Sequence, residues 1–599
     1  MTARGSWALA VVLLALTTIA YAPVRGYPYV QDAHRAVQAN PVVERGSVTE
    51  IFAADYWKDT GSPTHTLYRP ITVLSFALER KLLGRLDPGV SHLVNVGLHA
   101  ATAWLLCLLA RALGLRPLGA TAAALGFAVH PLLLQAVANV VGRADLLVAL
   151  FGLGAALAWV GEPKTARGER ARTWGAAALS FLALASKEIG IAIPALLVAL
   201  EGLRLAPRAR RRAALERLAR FAPLALAVLV YLHLRTLAIG EFPGAQPVAE
   251  EDSVLVRLAG QARWATVLAM AARYAALFAW PARMSADYSG AAIPAEPQLL
   301  ALAPLAGLLI LSILGAIALR PWLQSTGTLA RAASAGAWLT LLPYAVVGNL
   351  VVLNAAGFAE RMLYVPATGA CLLLGIGLEA LRGRVPPPAR RAAGRIAVVL
   401  VALVVVAGVW RTRRALPMWQ SGRALFEHAR SATPRSLTAN LERAARLEAE
   451  GRLDEALDAW RSVTAFSPGY GGAWMSTGVV LARLGRFEEA EAALRRSVRL
   501  RPDLGEARTN LALVLVARGA LADAERELRR ALLLDASQVR AAAQLAHLRF
   551  DAGRYAEAAR LYRGCVELGR EDLRERWREA ADRAARAAGP GLDPPPPRY

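Results

Sequence analysis

Arg395-Ile396-Ala397-Val398-Val399-Leu400-Val401-Ala402-Leu403-Val404-Val405-Val406-Ala407-Gly408-Val409-Trp410 is an almost unbroken apolar run, and the chain beyond it turns abruptly charged and alanine-rich. Such a run approaches the ~20 residues that carry a helix across a bilayer. Similar runs lie upstream, around 7–22, 91–112, 118–133, 145–160, 174–186, 188–202, 219–236, 299–319, 333–352 and 363–381. With 55% hydrophobic residues, 19% charged residues and a mean hydropathy of +0.35 over 599 residues, the chain is too apolar for an ordinary soluble protein. The expected fold class is all-α: a multi-pass helical membrane domain of about 11 spans over residues 1–410, then a helical domain over 411–588. A Pro-rich tail at 589–599, holding Pro594 to Pro597, is expected to be disordered.

A formal charge of +24 would suggest nucleic acid in a soluble chain. Here the basic residues crowd short loops between apolar runs. One holds Lys164, Arg167, Arg170 and Arg172; a second holds Arg204, Arg208, Arg210, Arg211, Arg212 and Arg217; a third holds Arg382, Arg384, Arg390, Arg391 and Arg395. Topology accounts for them, so nucleic acid is excluded as a partner. Alternating spans put all three loops and the N-terminus in the cytoplasm. Asp32, the acidic loop Glu241 to Asp252 and everything after Trp410 then fall outside. The half-apolar stretch Ala262 to Trp280 carries Arg263 and Arg273 and is assigned to the outer interface as an amphipathic helix. The first run is taken as an uncleaved span, because no clear small-x-small site follows it. Alanine- and arginine-rich, lysine-poor usage points to a GC-rich bacterium, with a cell (inner) membrane location and a periplasmic outer side. Cys107, Cys371 and Cys565 are too scattered for a disulfide framework or a metal set and are expected to be small buried hydrophobes.

After Trp410 a period of 34 residues runs without gaps. Gly451, Gly485, Gly519 and Gly553 mark one turn position, and Ala456, Ala490, Ala524 and Ala558 the small residue where paired helices approach. Leu453, Phe487, Leu521 and Tyr555 fill a third register, and Trp460, Leu494, Leu528 and Tyr562 a fourth. Pro434, Pro468 and Pro502 end successive units. These are tetratricopeptide repeats, helix pairs that bury their apolar faces only by stacking into a solenoid. The half unit Trp419, Phe426, Pro434 joins the array to the last span.

The first outer loop, about residues 25–90, holds Tyr29-Val30-Gln31-Asp32-Ala33-His34-Arg35, a polar run just after the first span. A carboxylate at the mouth of a span is expensive unless something uses it. Tyr68-Arg69-Pro70 starts a helix with Pro70 at an early position. Ile71, Leu74, Leu78 and Leu82 then recur at helical spacing, with Arg80, Lys81 and Arg85 on the other faces, the pattern of a helix lying on a membrane surface.

Tyr29 to Asp32, Tyr68-Arg69-Pro70, His92 to His99, Ala128-Val129-His130-Pro131, Val141-Gly142-Arg143-Ala144-Asp145, Ser186-Lys187-Glu188 and Glu360-Arg361-Met362-Leu363-Tyr364 follow one another in this order. With the C-terminal repeats, the chain resembles a bacterial-like member of the transmembrane and tetratricopeptide-repeat-containing (TMTC) O-mannosyltransferase family, of the C-type glycosyltransferase fold. The resemblance covers most of the chain. It implies a polyprenyl-phosphate-linked sugar donor, typically mannose, and transfer to serine or threonine of a protein acceptor at the extracytoplasmic face. One departure falls at its centre: the family usually shows two adjacent acidic residues where this chain has Gln31-Asp32.

For such a donor the departing phosphodiester oxygen needs little protonation, so one carboxylate suffices as base for the acceptor hydroxyl, unlike the two carboxyls of a glycosidase. Asp32 is the candidate base; the alternative is that it caps the helix Ala33 to Ala39. Arg143, Lys187 and Arg361, at outer ends of spans, are the candidate phosphate ligands. Each alone could instead snorkel to lipid headgroups. Glu188 and Glu360 are expected to hold the adjoining cations, with Arg69 and His34 as further supporting residues. His92, His99 and His130 lack carboxylates at ligand spacing, so neither metal nor cofactor is expected. Besides the donor, the partners are a protein or peptide acceptor at the repeats and membrane lipid. A non-catalytic scaffold for envelope assembly and a lipid-linked sugar transporter remain open. The transporter predicts ionisable residues near mid-span, for which Asp145 is the candidate, and the scaffold leaves the three cations unexplained.

Overall fold

The computed structural model describes residues 3–60, 66–161, 165–204, 218–240, 253–324, 326–354, 357–569 and 571–589. Most of the basic loop at 204–217, the acidic loop 241–252, Lys164 and nearly all of the 589–599 tail lie outside the described residues. The chain forms two compact units, Met1–Thr433 and Pro434–Tyr599. The division falls after Thr433 rather than after Trp410. Leu416, Met418, Trp419 and Leu425, beyond Trp410, are buried in the core of the first unit.

The first unit is helical and built as a membrane protein. Among the described residues seven helices are long and apolar enough to cross a bilayer: Gly5–Gly26, Pro88–Ala112, Val140–Val160, Arg220–Ile239, Leu302–Leu323, Glu360–Arg384 and Pro387–Trp419. Pro117–Val129 and Pro131–Ala138, bent by 49° at His130, make an eighth if they act as one span. Pro131 causes the break, since it has no N–H and pushes the preceding residue out of the helical region. The runs at 174–186, 188–202 and 333–352 are helical too but do not reach that length and apolarity. The first shares the helix Ala166–Leu184 with Arg167, Glu169, Arg170 and Arg172, and the second is the 13-residue helix Ala192–Arg204. The stretch assigned to an amphipathic helix is the helix Gly260–Ala279, whose Val267, Met270, Ala271 and Tyr274 are buried.

Close backbone approach fixes the helix Tyr364–Arg384 on two sides. A Cβ on Gly375 would lie 2.4 Å from the Gly119 carbonyl oxygen, and one on Gly369 would lie 2.5 Å from that of Gly336. Small residues at helix crossings allow this packing inside a membrane, where apolarity alone does not hold helices together. The helix is thereby locked between two neighbours, and so is the Glu360-Arg361 turn at its start.

In the second unit, Gly451, Gly485, Gly519 and Gly553 have φ between +74° and +78°. Each lets its N–H and that of the next residue cap the preceding helix, as in Gly485 N to Ala482 O and Arg486 N to Leu481 O. Ala456, Ala490, Ala524 and Ala558 are all fully buried, so the 34-residue period is realised as the stacked helix pairs it implied.

Candidate active site

The helix Pro70–Leu83 begins at Pro70. Its first free donors are met from another segment: Ile71 N–H reaches the Ala185 carbonyl at 3.0 Å, and the Thr72 hydroxyl reaches the Ser186 carbonyl at 2.8 Å. This docking brings Arg69 against the Ser186-Lys187-Glu188 turn. Arg69 donates to both oxygens of Glu188, the shortest contact being 2.8 Å, and its guanidinium lies 5.3 Å over the Tyr56 ring. Burial opposes the charge on Arg69, but the Glu188 carboxylate outweighs it and raises the pKa above the ordinary arginine value.

Lys187 does not pair with its neighbour Glu188. Its ammonium donates to both oxygens of Asp145 at 2.7 Å. Burial pulls the Lys187 pKa below the ordinary lysine value even though Asp145 pulls it up. Lys187 also lies within electrostatic reach of Arg69 and Arg361.

Arg361 is anchored by its backbone: its N–H donates to the Gln135 side-chain oxygen at 2.8 Å, while the Gln135 amide nitrogen donates to the Ala286 carbonyl at 3.0 Å. The half-buried guanidinium itself has no hydrogen-bond or ion-pair partner among the described residues. Glu360 does not hold it, contrary to expectation. In the tight 3₁₀ turn successive side chains diverge by about a third of a revolution. Glu360 accordingly points inward and accepts from Ser285 N–H at 2.6 Å and the Tyr288 hydroxyl at 2.7 Å.

Asp32 is exposed, and its side chain caps nothing. The short helical turn His34–Gln38 has Ala33 at its cap position with no side-chain hydrogen bond. The Asp32 carboxylate has no partner among the described residues. The preceding Gln31 is left-handed, at φ +52°. Asp32 lies within electrostatic reach of buried Tyr56. Burial pushes the Tyr56 phenol up to about 12, with Arg69, Asp32, Arg361 and Glu188 all contributing to its field. Asn40 ties these segments together, accepting from Val42 and Val43 N–H and donating to the Ala36 carbonyl at 3.2 Å.

Two expected site residues are engaged with other partners. Arg143 is fully buried and pairs with Glu79 at 2.9 Å, so its charge is committed inside the protein and not to a ligand. His34 is exposed and bonds locally to Gln38 at 2.8 Å. Sequence reasoning missed Tyr56, Gln135 and the pairing role of Asp145. Tyr56 stands beside Trp57 in the outer loop, an aromatic pair that could have flagged it. Among the described residues the cluster offers one unpaired carboxylate, one unpaired guanidinium and two ion pairs, Arg69–Glu188 and Lys187–Asp145.

A tetratricopeptide-repeat family model matches residues 472–504. Protein O-mannosyl-transferase Tmtc1 of Drosophila melanogaster is 29% identical over 528 residues, covering 74% of this chain and 59% of that protein. Protein O-mannosyl-transferase TMTC2 of Mus musculus is 26% identical over 509 residues, covering 72% and 59%. The crystal structure of a thermophilic TPR protein in Thermus thermophilus is 25% identical and covers 32% of this chain and 96% of that one, with a TM-score of 0.24. The chain spans about three-fifths of the length of the curated relatives it matches. By this similarity, over 72–74% of its length, the chain is a relative of the proteins named TMTC protein O-mannosyl-transferases.

Proposed function

We propose that the chain is an integral-membrane glycosyltransferase that moves a mannosyl group from a polyprenyl-phosphate donor to a serine or threonine hydroxyl of a protein, with Asp32 as general base. The observation that carries this reading is a carboxylate, Asp32, and a guanidinium, Arg361, each without a hydrogen-bond or ion-pair partner among the described residues and both within electrostatic reach of buried Tyr56. Asp32 takes the proton of the acceptor hydroxyl as its oxygen attacks the anomeric carbon. The bond from that carbon to the phosphate oxygen breaks, and the polyprenyl phosphate leaves with the electron pair. The charge gathering on the phosphate is met by Arg361, whose fork suits a phosphate and whose charge no carboxylate among the described residues neutralises. Lys187 and Arg69 add to the field through their pairs with Asp145 and Glu188. The cluster lies on the outer side of a cell membrane, with the N-terminus and the basic loops in the cytoplasm and the repeats outside.

The experiment is transfer of radiolabelled mannose from a synthetic polyprenyl phosphate to a mixture of envelope proteins by the purified full chain in detergent. Label in protein, released by β-elimination, supports the reading. A donor that is bound and never consumed, with or without acceptor, favours the scaffold.

A further inference from the structure

Arg143 leaves the phosphate-binding set, and its buried surroundings suggest another use. Glu79, on the helix Pro70–Leu83, is 7% exposed and forms the ion pair with Arg143, which is fully buried. Arg143 Nε donates to Asn95 Oδ1 and Nη2 to the Ser91 carbonyl, each at 3.0 Å, and the guanidinium stacks 4.1 Å over the Phe76 ring. The Ser91 hydroxyl donates to Glu79, which leaves the Tyr29 hydroxyl to donate to Ser91 Oγ at 3.0 Å. Tyr29 lies three residues before Asp32.

Replacing a buried ion pair with packed apolar groups is often neutral or stabilising, so such a pair is weak evidence of stability and better evidence of a fixed arrangement. This one joins three helices to the turn that carries Asp32. The turn itself is thin. Ala33 N–H reaches the Val30 carbonyl at 3.2 Å, Ala36 N–H reaches the Asp32 carbonyl at 2.8 Å, and Gln31 stands in the left-handed region between them. Since no side chain among the described residues holds the Asp32 carboxylate, its direction is set by the backbone on either side. Downstream, Ala33, Ala36 and Val37 are packed in an apolar cluster with Tyr56 and Phe76. Upstream, the polar hold is Tyr29.

We infer that the relay Tyr29–Ser91–Glu79–Arg143 positions Asp32, with Tyr29 and Glu79 as positioning residues that aim the carboxylate at the acceptor hydroxyl. This rests on the reading of Asp32 as base. The test uses the full chain in detergent, with Tyr29→Phe, Glu79→Gln and Asp32→Asn compared for mannosyl transfer to a peptide, for donor hydrolysis without acceptor, and for melting temperature. The ratio of transfer to hydrolysis does not depend on how much of a preparation is folded. Tyr29→Phe removes one hydroxyl and should keep the melting temperature and the donor KM while lowering that ratio on the order of 10-fold or more, as sub-ångström misaim of a reacting group does. Glu79→Gln should lower it further. If Tyr29→Phe keeps the parental ratio and kcat while Asp32→Asn is inactive, the inference is overturned and the base reading stands. If Asp32→Asn transfers at the parental rate, the base reading fails and takes the inference with it. Should Glu79→Gln fail to fold, Tyr29→Phe decides alone.

Discussion

Lys187 holds both carboxylate oxygens of Asp145 at 2.7 Å, across 42 residues of sequence, whereas Arg361, within electrostatic reach of Lys187, holds none among the described residues. The two cations should therefore answer mutation differently. Arg361→Gln removes a charge that pairs with no group among the described residues, so the melting temperature should stay near the parental value. The donor KM should rise roughly 10- to 100-fold, the worth of a hydrogen bond to a charged group.

Asp145→Asn should do the reverse. It leaves the Lys187 ammonium buried without its counter-charge, which costs about 3–5 kcal/mol. A thermal scan in detergent should show a clear fall in melting temperature, and an unchanged scan would mean that water already solvates Lys187.

The pH dependence of the same lysine has a definite sign. Burial, opposed by Asp145, lowers its pKa in the folded protein, so folded Lys187 loses its proton at a lower pH than the unfolded chain does. Between those two pH values the unfolded state binds more protons, and the contribution of Lys187 to stability rises with pH. Donor affinity should fall over the same window, as a cation near the phosphate is lost. Lys187→Arg should move the fall in affinity to higher pH, measured as donor KM against pH.

The sequence displays what is periodic and hides what is paired. The repeats were legible because a glycine at positive φ and a fully buried alanine must recur every 34 residues for helix pairs to stack. Pro70 announced its helix for an equally local reason. The partners of Arg143, Lys187 and Glu360 were not legible, because each is chosen by which helix face meets which neighbour. Adjacent carboxylates, Glu188 and Glu360, looked like natural partners for Lys187 and Arg361. The extended backbone at Lys187 and the 3₁₀ turn at Glu360 send the side chains of each adjacent pair in different directions.

The orientation has its own check. A reporter active only outside the cytoplasm should be active when fused after Trp410 and silent when fused at Arg210. Activity at both sites would overturn the alternation of spans.

The repeats should matter to the acceptor more than to the donor. Tetratricopeptide arrays bind extended peptides in a groove. Excising residues 437–599 should cut modification of protein acceptors severalfold more than donor hydrolysis or transfer to a short peptide, as measured by label incorporation. Equal loss of all three would assign the array to folding of the membrane unit.

Asp32 carries the account, and one substitution reaches it directly. Asp32→Asn keeps the size of the side chain and, since the native carboxylate caps no helix, removes no bond to the described residues. The measurement is the rate of mannosyl transfer from a purified polyprenyl-phosphate donor by this variant and its parent, with donor affinity and melting temperature taken on the same preparations. The account predicts unchanged melting temperature, retained donor binding and a rate lower by about 10²- to 10⁴-fold, the usual worth of a positioned general base. A variant as fast as its parent would contradict it.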